Sequence, residues 1–150
     1  MFGSNGWKEL SDEKNFIVAS INGADDDGGF GRSWNGGGCS SSPLEVGGHT
    51  CTKKAEWDRP SYCMDSCGQS CHRCDWCTCL DDVGLTMHIL NHLKKQLLID
   101  EKRIYAHGYS NGAIFTYELA LRKSHVFAAI APLAGSVHKG YYETVKQENM

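Results

Sequence analysis

The sequence predicts an α/β fold with a parallel sheet, and three observations carry that prediction. Apolar and amphipathic stretches alternate in the order helix, strand, long loop, helix, strand, helix, strand. The runs "FIVASIN" (16–22), "RIYAH" (103–107) and "FAAIAPLAG" (127–135) are short, apolar and bounded by turns, as buried strands are. Between the first two, "DDVGLTMHILNHLKKQLLID" spaces its apolar residues as one face of a helix does.

Each element has a local reason. Trp7 to Asn15 reads as a short helix, with Trp7 and Leu10 three apart on one face. "FIVASIN" then reads as a buried strand running into the turn "GADDDGGFG". Asp25, Asp26 and Asp27 in that turn lack the ligand spacing of a calcium loop and read as a solvated turn. From Gly28 to Leu80 no period is found. In the helix that follows, Val83, Met87, Leu90, Leu93 and Leu97 share a face, and Asn91, Lys94 and Lys95 lie off it. Asp81 suits its N-cap, and Asp82 suits the positive end of its dipole. After "RIYAH", a helix from Asn111 to about Lys123 is expected to turn Ala113, Tyr117, Ala120 and Leu121 inward. A third buried strand covers Phe127 to Gly135, and the stretch from His138 to Met150 is polar and patternless.

Composition narrows the function. The chain has 150 residues, 41% apolar and 22% charged, with net charge −3, which suits one soluble globular domain. Neither sign of charge dominates, so nothing points to a nucleic-acid partner or an anionic membrane. No run approaches the roughly 18 apolar residues of a membrane span. "MFGSNGWKELSDEK" has no basic region and no apolar core, so it does not read as a signal peptide.

All 8 cysteines lie in one segment: Cys39, Cys51, Cys63, Cys67, Cys71, Cys74, Cys77 and Cys79. An even number in a polar, turn-rich region reads as a disulfide framework, which can order a loop that no hydrophobic core orders. The rival reading is a structural zinc site. Such a site usually pairs two close-spaced cysteine pairs across a loop of a dozen or more residues, whereas here the close pairs run together and Cys39 and Cys51 stand apart. Disulfides are the preferred reading and imply an oxidising, extracellular compartment, in tension with the N-terminal stretch.

The chemistry-bearing motif is "GYSNG", Gly108 to Gly112. Gly-x-Ser-x-Gly is weak as a bare pattern, and the bland reading is a glycine turn with Ser110 as a helix N-cap. The setting argues for more. A strand ends at the first glycine and a helix starts at about Asn111, which is the strand–turn–helix arrangement of a nucleophile elbow. The turn lifts the Ser110 hydroxyl above the sheet, and crowding there calls for glycine at 108 and 112. The helix N-terminus favours negative charge, and the Asn111 backbone N–H is placed to serve as an oxyanion donor.

"DDVG", "GYSNG" and "FAAIAPLAGS", with "WKELSDEKNFIVASING" and "RSWNGGGC" upstream, resemble in order and spacing the α/β-hydrolase esterases of the polyhydroxybutyrate depolymerase and feruloyl/acetylxylan esterase group. The resemblance covers roughly residues 7–38 and 79–136. It implies a partial α/β-hydrolase domain over 1–150, truncated at both ends, with a cysteine-rich insertion at about 39–79. If the underlying fold has a short loop at the insertion, its ends are close, and a Cys39–Cys79 bridge is the expected pairing. Position 113 is Ala where the group often has a further Gly.

The resemblance further implies a catalytic acid and a histidine base in the order Ser, Asp or Glu, His. After Ser110 the histidines are His125 and His138 and the acids Glu118, Glu143 and Glu148, and none stands in that pattern. His107 adjoins the elbow but belongs to the strand. The expectation is that acid and base lie beyond residue 150, and that a second oxyanion loop and a central strand are absent from these residues. Trp34 and Asn35 follow the first strand and are candidate substrate-binding residues with Tyr109, although Trp34 could equally pack under the insertion. The expected function is a serine carboxylic ester hydrolase that forms an acyl-enzyme on Ser110. It would need no cofactor and no metal and would act on a polyester or an acylated polysaccharide. The alternative is a non-catalytic, cysteine-rich extracellular binding protein on a hydrolase scaffold.

Overall fold

A computed structural model describes residues 6–25, 32–36, 66, 78 and 80–137. Its elements in chain order are α1 (Trp7–Lys14), α2 (Asp82–Gln96), β1 (Tyr105–Tyr109), α3 (Asn111–Arg122) and β2 (Ala129–Leu133). Strands β1 and β2 pair in parallel, Tyr105 opposite Ala129 through Tyr109 opposite Leu133, and α3 is the crossover between them. This βαβ unit is compatible with a partial α/β-hydrolase fold. Every cysteine, and all of the insertion except Ser66 and Thr78, lies outside the described residues.

Helix α2 starts where the sequence places it. The Asp81 carboxylate accepts a hydrogen bond from the Gly84 N–H at 2.8 Å and caps the first turn. Leu97 is the C-cap and is exposed, so the apolar stripe ends one turn earlier than its spacing suggests. Helix α1 ends on Asn15, which takes the left-handed conformation at φ 54°.

The core among the described residues is Val83, Phe115 and Leu119, with Trp34, Ala106 and Phe127 packed against it. Phe115, Thr116 and Leu119 are therefore more buried than Tyr117, Ala120 and Leu121, the residues expected inward together with Ala113. The reason is that α3 packs on two surfaces. Gly108 of β1 meets it on one side, and Trp34 stacks on Phe115 with centroids 5.0 Å apart on the other. The buried arc is correspondingly wider than a single stripe.

Two strand expectations need correction. Phe16 to Asn22 forms no strand, and Phe16 and Ile17 are exposed. A strand exists only by pairing, and the ladder of the described sheet consists of β1 and β2 alone. Phe16 instead meets the Trp7 ring edge-on at 6.4 Å. Strands β1 and β2 are also half-buried rather than fully buried, with exposed and covered residues alternating along each. Ala106 and Gly108 face α3, and Tyr105, His107 and Tyr109 face the other way. On that second face the Trp7 ring packs against His107 at 5.3 Å.

Candidate active site

Strand β1 ends at Tyr109 and α3 begins at Asn111, so Ser110 alone turns the chain. Its backbone sits at φ 54°, ψ −119°. An L-residue there costs on the order of 1–3 kcal/mol and persists only where its surroundings over-determine it. They do so through three hydrogen bonds. The Ser110 N–H donates to the Leu133 carbonyl at 2.9 Å, and its carbonyl accepts from Ala113 at 2.9 Å and Ile114 at 3.2 Å. Ser110 is the N-cap residue of α3, and its hydroxyl makes no capping bond to that helix. The adjacent strand behaves alike, since Ala134 just past β2 is also left-handed at φ 57°.

Close packing at the elbow explains one glycine of the motif and not the other. A Cβ on Gly108 would overlap the Gly112 carbonyl and lie 2.5 Å from Thr116 Oγ1, so only glycine fits. A Cβ on Gly112 would meet only the Trp34 ring, at an ordinary 3.8 Å. The expected crowding at 112 is thus a property of its backbone, against which residue 108 presses. Gly135 closes the site from β2, where a Cβ would lie 2.6 Å from that of Ala113 and 2.9 Å from the Ser110 carbonyl oxygen.

Trp34 and Asn35 are held beside the elbow by side chains from two helix N-termini. Asn111, the first residue of α3, accepts from the Trp34 N–H at 2.7 Å and donates to the Trp34 carbonyl at 3.2 Å. Asp82, the first residue of α2, accepts from the Asn35 N–H at 2.7 Å and from the Thr78 hydroxyl at 2.9 Å, both on Oδ2. The Asn35 carboxamide donates to the Leu80 carbonyl at 2.9 Å. Asp82 was expected to be a dipole residue at a helix start, yet it is only 4% exposed and anchors a remote loop. Burial holds its carboxyl above the usual Asp range, with the neighbouring Asp81 adding to the rise and the bonds from Asn35 and Thr78 opposing it.

The other candidates fall elsewhere. Tyr109 is exposed at the carboxyl end of β1, on the face turned away from α3. As the first residue of α3, Asn111 places its N–H at the helix N-terminus beside Ser110. His107 Nδ1 lies 2.6 Å from the Ala131 carbonyl, and because a carbonyl only accepts, Nδ1 carries the proton. Among the described residues no histidine hydrogen-bonds Ser110, and His125 is exposed in the turn after α3. Glu118 is buried in α3 and paired with Arg122 at 3.1 Å. Asp25 pairs with Arg32 at 3.3 Å, both exposed. Asp26, Asp27, His138, Glu143, Glu148 and the cysteines lie outside the described residues.

Residues 79–149, which include the elbow, match the prolyl oligopeptidase family. A bifunctional acetylxylan esterase/xylanase of Neocallimastix patriciarum is 37% identical over 54 residues. Together these matches support an α/β-hydrolase. The stretch shared with the fungal enzyme is 36% of this chain and 8% of that protein, so the chain spans a small part of the relative's length. No solved structure matches. Among the described residues, no helix is long and apolar enough to cross a membrane.

Two outcomes are expected. Gly108→Ala lowers the unfolding free energy by about 3 kcal/mol through overpacking. Gly112→Ala stays within about 1 kcal/mol of the parent, since alanine suits a helix. Denaturant titration of both separates them, and equal losses would contradict the packing account. The second outcome concerns Asp82. Burial favours its neutral acid in the folded chain, so the stability that this contributes is fully present below the ordinary Asp value of about 3.9. It is lost as pH rises through the raised folded value. Relative to Asp82→Asn, the parent therefore gains melting temperature as pH falls through that window, and a pH-independent difference would contradict the assignment.

Proposed function

We propose that this chain carries the nucleophile of a serine carboxylic ester hydrolase, with Ser110 as the attacking residue. The observation that supports it most is the left-handed Ser110 backbone at a strand–helix junction, with a hydroxyl that caps nothing. Strain of this kind clusters at active sites and ligand clamps. In the proposed cycle Ser110 Oγ attacks the ester carbonyl carbon and gives its proton to a general base. The oxyanion forms against the Asn111 N–H at the α3 terminus. Collapse expels the alcohol, which takes up the proton, and leaves the acyl group on Oγ. Water then attacks the acyl-enzyme, releases the acid and restores the serine. This chemistry calls for no cofactor. Tyr109, which precedes Ser110, Trp34, which Asn111 holds, and its neighbour Asn35 are proposed to border the substrate.

The acyl group is proposed to be small and to sit on a plant cell-wall polysaccharide, a reading that the name of the fungal relative supports. Feruloyl esters and hydroxyalkanoate polyesters are the other substrates of the group that the sequence resembles. An extracellular setting, with the 8 cysteines as a disulfide-rich insertion in the hydrolase domain, fits such a substrate, and neither a nucleic acid nor a membrane is proposed as a partner. The family match favours a second reading, cleavage of a peptide amide at the same serine. Hydrolysis of nitrophenyl acetate, acetylated xylan and a prolyl nitroanilide by the protein carrying this chain separates the readings. Turnover of the acetyl esters, reduced at least about a thousandfold by Ser110→Ala, is expected. Faster turnover of the anilide would favour the peptidase, and no turnover at all would favour the non-catalytic binding protein.

A further inference from the structure

The Trp34–Asn35 segment belongs to no helix or strand, yet its polar backbone is bonded from both sides. Asn111 holds the Trp34 peptide groups to the elbow helix. Asp82 holds the Asn35 N–H from the far side, 47 residues along the chain. Gly36 continues the segment along α3, so close that a Cβ there would lie 2.9 Å from the Phe115 backbone nitrogen. The result is a fixed indole, flat on Phe115 at an interplanar angle of 3°, its Nε1 edge over Gly112. Gly112 lies in the first turn of α3, two residues from Ser110, so this ring sits at the start of the elbow helix.

We infer that Asp82 is a positioning residue for the ester site: its buried carboxylate fixes the Trp34–Asn35 segment so that the Trp34 ring forms a preset wall beside Ser110. The inference rests on the ester hydrolase reading of Ser110 and extends it to a residue that touches no substrate. Three features separate this role from ordinary helix capping. Capping of α2 is already done by Asp81. The Asp82 carboxylate bonds nothing in its own helix and spends Oδ2 on Asn35 and Thr78. A carboxylate kept out of water is costly unless its bonds are needed.

Removing the carboxylate leaves the Asn35 N–H without its acceptor and frees the segment, so substrate is bound less well while the elbow, built from β1, α3 and β2, is untouched. Asp82→Ala in the protein carrying this chain is therefore expected to raise KM for an aryl ester roughly tenfold, with kcat changed less than about threefold. Asp82→Asn retains an oxygen that accepts from Asn35 and Thr78, so KM should return to within about threefold of the parent. This variant also carries the test if the alanine variant does not fold, because its KM should then be raised only slightly and kcat left alone. The decisive arm is the Trp34→Ala background. If Asp82 acts through the Trp34 wall, Asp82→Ala changes KM there less than about twofold, whereas independent effects would multiply. Multiplying effects, or a fall in kcat with KM unchanged in either Asp82 variant, would overturn the inference. Failure of the parent to hydrolyse any ester would instead overturn the reading of Ser110, so the two failures are distinguishable.

Discussion

The hydrogen bond from the Ser110 N–H to the Leu133 carbonyl ties the end of one strand to the end of its neighbour across the start of a helix. With the two bonds that the Ser110 carbonyl accepts from α3, it holds a serine in the left-handed region. The neighbouring residues follow from that constraint. Residue 108 must be glycine, since the turn brings β1 against the Gly112 carbonyl and Thr116. Residue 135 must be small, because β2 ends against Ala113 and the Ser110 carbonyl. The parallel register is equally required, as it places Leu133 opposite Tyr109, one residue short of the serine.

A second level of organisation is built on the first. Helices α2 and α3 each send the side chain of their first residue to the same dipeptide, Trp34–Asn35. A helix terminus thus does two things here. The α3 terminus puts its free N–H groups and dipole beside Ser110, where the proposed oxyanion would form, while Asn111 holds Trp34 and Asp82 holds Asn35. Stacking of Trp34 on Phe115 joins this loop to the small core, so that site and core are one structure.

Much of this was legible in the sequence. The order α2, β1, α3, β2 follows from periodicity, and the Asp81 cap from residue type and position. The elbow follows from glycines set between a strand and a helix. What was not legible depends on tertiary contacts. "FIVASIN" has the composition of a strand, but composition cannot provide a neighbour to pair with. Asp82 next to Asp81 looks like ordinary helix-start chemistry, and only the approach of Asn35 and Thr78 makes it a buried anchor. The Asn111 clamp on Trp34 spans 77 residues and leaves no local signature. Single-face periodicity predicts too narrow a buried face for α3, because it does not anticipate a helix packed on two surfaces. The open face of β1, where Trp7 meets His107, likewise depends on contacts that no period encodes.

If the strained serine is a nucleophile, covalent capture reveals it most directly. A fluorophosphonate should phosphonylate Ser110 Oγ with loss of fluoride, and peptide mass mapping of the protein carrying this chain should place the adduct on the segment from Arg103 to Leu121. The account predicts an adduct on Ser110 and none in the Ser110→Ala variant. An unlabelled Ser110 in a preparation that hydrolyses esters, or an adduct on another residue that survives Ser110→Ala, would contradict it.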